Sequence, residues 1–143
     1  MSWWVLMKLF FKAKDGGSES KVTGYWLIES KRFGSVVLLK FDKGSREAYH
    51  NHAFNAVSWV LKGKLFESIK RDEVGYNVYE GDFIKPSLIP FKTPRERMHR
   101  VYGEADTTWA LSFRGPWEPT WKEYLPKEDK EITLSNGRVE VLS

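Results

Sequence analysis

The chain has 143 residues, enough for one domain with its own core, and residues 1–143 are read as a single domain. It contains no cysteine, which excludes disulfides, thiolate metal sites and a cysteine nucleophile. The formal charge is +4, with basic residues spread among acids and no long run of one sign, so the charge pattern calls for no nucleic-acid partner.

In chain order, the apolar start WWVLMKLFF is interrupted by Lys8 and followed by Lys12. It lacks a basic leader region and is too short to span a bilayer, so no membrane association is expected. It reads as a strand or short helix packed on the body of the protein or on a partner chain. Together with the absence of cysteine, this fits a cytoplasmic protein. Short runs rich in Val, Ile, Leu, Tyr, Trp and Phe then alternate with turn signals. Strands are expected at Gly24 to Ile28, Ser35 to Phe41, Tyr49 to Leu61, Lys64 to Ile69, Tyr76 to Tyr79, Phe83 to Pro86, Met98 to Tyr102 and Thr107 to Phe113. Glu131 to Leu142 reads as a hairpin turning at Asn136-Gly137, a pair suited to positive φ at both central residues. Turns are expected at Glu80-Gly81-Asp82 and Gly103-Glu104. No long segment has helical periodicity, although a short helix fits at the N-terminus or near Trp121 to Tyr124. The pattern is all-β, a sandwich or barrel with at most one or two short helices.

The chain holds three histidines. His50 and His52 are two apart, so on a strand both rings point to one side. His99 lies 47 residues beyond His52 in another expected strand, where a barrel can bring it opposite the pair. Imidazole suits Fe, Zn, Ni, Cu or Mn, and the spacing does not choose among them.

These residues resemble the cupin superfamily, whose fold is a double-stranded β-helix, or jelly-roll barrel. Gly44, His50, His52 and Gly63 match the spacing of its first motif, and Gly81, Pro86 and His99 follow the order of its second. The P-x-G glycine and the final asparagine of the second motif are missing. The motif's metal-binding glutamate falls at Ala56 or Val57, neither of which can bind a metal. The resemblance implies a divalent metal held by His50, His52 and His99, with Fe(II) favoured by likeness to three-histidine cupin thiol dioxygenases and Zn, Ni or Mn as alternatives. It also implies a homodimer, with the WWVLMKLFF segment and the terminal hairpin as contact surfaces.

Around the histidines, Phe54, Ala56 and Ser58 share their face on a regular strand. Ala56 leaves room where the family's glutamate stands. Asn55 has the opposite parity and is a candidate to orient an imidazole from behind. Arg97, with the parity of His99, is a candidate to clamp a substrate carboxylate, and Tyr49 a candidate catalytic group. Tyr102 and Trp109 are weaker candidates for the cavity wall, and Glu47 for a metal contact.

Two readings of function stay open. One is an enzyme acting on a small molecule, either a metal-dependent dioxygenase or isomerase, or a metal-independent enzyme like the cupin sugar epimerases. The other is a non-catalytic cupin that binds a ligand or serves a structural role. Single-stranded nucleic-acid binding is a weaker third, resting on the positive charge and the aromatic content.

Overall fold

Apolar residues at every second position make half-buried strands, and nearly every such run in this chain pairs with another. In the computed structural model the described residues are 7–16, 20–44, 49–73, 76–125, 128–135 and 139–141. Among them there are twelve strands and no helix. These are β1 (Met7–Lys14), β2 (Val22–Ser30), β3 (Ser35–Gly44), β4 (Tyr49–His50), β5 (Ala56–Lys62) and β6 (Leu65–Glu73), followed by β7 (Tyr76–Ile84), β8 (Phe91–Thr93), β9 (Met98–Arg114), β10 (Thr120–Leu125), β11 (Lys130–Ser135) and β12 (Val139–Glu140). Every pairing between them is antiparallel.

The long strand β9 organises the barrel. Its first half lies between β4 and β6, with His99 opposite His50 on one side and Ile69 on the other. Its second half lies between β3 and β5, with Ala110 opposite both Leu39 and Val60. β1 and β2 extend the sheet beyond β3, and β10, β11 and β12 extend it beyond β4. The result is the curled antiparallel sheet of a jelly-roll barrel.

The sheet bends where β5 gives way to β6. Gly63 stands there with φ +94°, a conformation that favours glycine. A side chain on it would also crowd the Thr107 carbonyl oxygen at 2.8 Å. Beside it the fully buried Thr108 hydroxyl accepts from the Lys64 amide at 3.0 Å and donates to the Lys64 carbonyl at 3.1 Å. The inward-facing Trp26, Val37, Leu39 and Ala110 form the apolar core, and Phe11 stacks flat on Trp26 with ring centres 5.0 Å apart.

Several elements differ from expectation. The run Tyr49 to Leu61 is broken: β4 ends at His50 and β5 begins at Ala56. Gly81 lies inside β7 rather than in a turn, because its missing side chain makes room for the Phe66 ring. Gly103 lies inside β9, where the Asp42 carbonyl approaches too closely for a Cβ. Trp121 to Tyr124, where a short helix was allowed, belongs to strand β10. The terminal hairpin forms, with Leu134 opposite Glu140, while its Asn136-Gly137 turn lies outside the described residues. Residues 1–6 of the apolar start and Glu47 also lie outside them.

Candidate metal centre

The ladder sets the three histidines together. His50 on β4 is the cross-strand partner of His99 on β9, and neighbours directly opposite in a sheet share a face. His52 follows just past the end of β4, where its amide donates to the Arg95 carbonyl at 3.3 Å. The three ring centres form a nearly equilateral triangle with sides of 4.9, 5.0 and 5.0 Å. The rings meet edge to face, at 67° to 89°. One nitrogen from each lies within 4.8 Å of the other two, so the group offers three ligand atoms to one point.

A fourth residue fixes the orientation of His99. Glu67, on an inward position of β6, places Oε2 2.6 Å from His99 Nδ1. Both residues are buried, at 8% and 4% exposure. Burial pushes the Glu67 carboxyl up, but the hydrogen bond and charge of His99, together with Arg97, outweigh it and hold the group below its ordinary range. An ionised carboxylate only accepts, so Nδ1 carries a proton, and in the neutral ring Nε2 then holds the lone pair that a metal requires. Arg97 supports the carboxylate from its other oxygen, with Nη1 3.4 Å from Oε1, and donates to the Lys92 carbonyl at 3.2 Å.

The triad opens into a cavity of about 520 Å³ inside the barrel. Phe54, Ala56 and Ser58 line it with the histidines, despite the break in the strand between them. Ser58 donates to Ser112 across the ladder at 2.9 Å. Deeper along β9, Arg114 also lines the cavity and is 8% exposed. Its Nη1 and Nη2 donate to the two oxygens of Asp15 at 3.2 and 2.7 Å. Phe54 lies between the two poles, its ring centre 5.1 Å from that of His52 and 4.8 Å from the Arg114 guanidinium carbon.

The other expected site residues fall elsewhere. Tyr49 precedes His50 and so points through the opposite face of the sheet. Its hydroxyl pairs with Ser68 at 2.8 Å, its ring packs on Tyr79, and it does not line the cavity. Arg97 contacts Glu67 rather than the cavity. Asn55 Oδ1 accepts from the Arg95 amide at 2.7 Å, which ties down the loop before β9. Tyr102 packs on Phe66 and Trp109 on Tyr25, both away from the cavity. The sequence reading missed Glu67 and Arg114. The available signal was parity: Glu67 occupies the inward face of β6 with Leu65, where a charge requires a partner.

No protein-family model and no curated protein matches the sequence. Solved structures do match. A cupin-superfamily sugar phosphate isomerase from Silicibacter pomeroyi is similar over 94% of this chain and 91% of its own, with 14% identity and a TM-score of 0.60. An oxalate oxidase in complex with glycolate matches 76% of this chain and 58% of its own, with 15% identity and a TM-score of 0.54. Fe(II)-HppE with an alternative substrate matches 73% of this chain and 55% of its own, with 12% identity and a TM-score of 0.57. The chain thus spans little more than half the length of the latter two. It has the cupin fold, a double-stranded β-helix, and carries a three-histidine group inside it. Among the described residues no helix is long and apolar enough to cross a membrane.

Proposed function

We propose that this protein binds a divalent metal, Fe(II) before Zn, Ni or Mn, through His50, His52 and His99, and acts at that centre as a dioxygenase-type enzyme on a small molecule. The observation that carries the reading is the convergence of three imidazoles within 4.8 Å, one of them held by a buried carboxylate. The donor set fits the ion: three neutral nitrogens and no cysteine suit borderline divalent metals. With no carboxylate in the triad, a bound ion keeps its full charge and supplies electrostatic attraction for an anionic ligand atom, or redox chemistry if it is iron. Among similar structures, HppE is an Fe(II) protein, in keeping with the preference for iron.

The chain's own part is to hold and orient. Glu67 fixes the His99 tautomer and Arg97 steadies Glu67. Arg97 is in this reading a positioning residue rather than a substrate clamp. The protein is further proposed to act in the cytoplasm as a homodimer.

Metal content of the untagged protein, measured by mass spectrometry beside His50→Ala and His99→Ala, tests the centre. Near-stoichiometric iron, lost in both variants, together with oxygen consumption on adding small thiols or acids, is the expected result. Protein that takes up no metal after anaerobic reconstitution would rule the reading out. Stoichiometric metal without turnover would leave a ligand-binding cupin in its place.

A further inference from the structure

We propose that Arg114 is the receptor for the oxyanion of a small ligand, carboxylate or phosphoryl, whose other end reaches the histidine triad; this deepens the metal-centre reading and rests on it.

Four observations support this. Arg114 is a charged group that lines the cavity at 8% exposure, a placement that is unfavourable without compensation. Asp15 compensates only part of it, taking Nη1 and Nη2. The buried Nε has no hydrogen-bond partner among the described residues, and a guanidinium offers five donors in a planar fork suited to oxyanions. Second, Ala56 stands directly opposite Arg114 in the β5–β9 ladder, and its short side chain leaves the space beside the guanidinium unfilled. Third, the Phe54 ring centre lies 5.1 Å from that of His52 and 4.8 Å from the Arg114 guanidinium carbon, so a ligand beside Phe54 is a short step from both poles. Fourth, Lys8, Lys14, Lys21 and Lys31 line the cavity against Asp15, Glu29 and Glu67, an excess of positive charge that favours entry of anions.

Asp15 has a definite part in this arrangement. It is 29% exposed at the side chain, next to the turn after β1, and its two oxygens take Nη1 and Nη2 while leaving Nε without a partner among the described residues. Its negative charge also opposes a second anion. Removing that charge while keeping the side chain's shape should therefore tighten anion binding. A purely structural ion pair makes the opposite prediction.

The test is titration calorimetry on the full chain, both metal-free and Zn(II)-loaded, with succinate, inorganic phosphate and the neutral succinamide as probes. Arg114→Lys and Asp15→Asn are compared with the parent, and thermal unfolding reports whether each variant folds. Expected are binding of succinate or phosphate but not succinamide, weakening of about tenfold or more in Arg114→Lys through loss of the planar fork, and tightening in Asp15→Asn. Succinate binding identifies a carboxylate ligand; phosphate binding alone identifies a phosphoryl one. Equal affinity in the parent and Arg114→Lys, or no anion binding with or without metal, overturns the inference. If Arg114→Lys fails to fold, the direction of the Asp15→Asn effect decides. Normal zinc loading without dependence on Arg114 sinks the receptor alone. Anion binding that depends on Arg114 in a chain that holds no metal sinks the metal centre alone.

Discussion

Glu67 Oε2 lies 2.6 Å from His99 Nδ1, and this contact holds the ring of a buried histidine in one orientation within the triad. Glu67→Gln keeps the size of the side chain but removes the charge that selects the tautomer. Metal affinity, measured by competition with a chromophoric chelator, should fall about 10- to 100-fold, the usual effect of losing a partner behind a metal-binding histidine. Unchanged affinity would mean that Glu67 serves the fold alone.

The same carboxylate makes stability depend on pH in a defined direction. Its folded pKa is lowered, burial being outweighed by His99 and Arg97. A depressed carboxyl stabilises the folded state above its unfolded pKa and loses that contribution as pH falls through the folded value. The stability gap between the parent and Glu67→Gln in metal-free protein should therefore be full above about pH 4.5, the ordinary value, and shrink at lower pH. Denaturant titrations at several pH values would show it. A gap that does not change with pH would contradict the assignment.

Tyr49→Phe separates architecture from chemistry. The hydroxyl is buried against Ser68 Oγ at 2.8 Å and does not line the cavity. Its loss should cost about 1 kcal/mol, the net worth of one such hydrogen bond, and leave metal content and turnover at parental levels. A large loss of turnover in folded, metal-loaded Tyr49→Phe would return this residue to the catalytic group.

Gly63→Ala tests the bend between β5 and β6. Alanine there meets both an unfavourable φ of +94° and the Thr107 carbonyl at 2.8 Å. A destabilisation of about 1–3 kcal/mol is expected for a strained position of this kind, read from the shift in denaturation midpoint. A midpoint within error of the parent would show that the backbone relaxes there at no cost.

Much of the barrel was legible because strands repeat every two residues. His50, His52, Phe54, Ala56 and Ser58 all line the cavity, but in the break between β4 and β5 the period is lost and Asn51 and Ala53 line it as well. Glycine was the poorer guide. Gly81 and Gly103 punctuate the sequence like turns, yet each lies within a strand where a neighbouring group needs the room of a Cβ. The partners of the site were hidden for another reason: Glu67 meets His99 across 32 residues and Asp15 meets Arg114 across 99. Only the register of distant strands brings these pairs together, and that register is not a local property. Tyr49 was misplaced by adjacency, since a residue next to His50 on a strand faces away from it.

β9 carries His99 near one end and Arg114 at the other, and hydrogen bonds to β3, β4, β5 and β6 lock it along its length. The barrel therefore works as a gauge. The span between these two residues is set by backbone pairing, which a point substitution in the wall does not lengthen or shorten. Slipping the strand by one residue would turn every inward side chain outward and abolish both ends at once. Substitution can change the chemistry at the two ends far more readily than the reach between them.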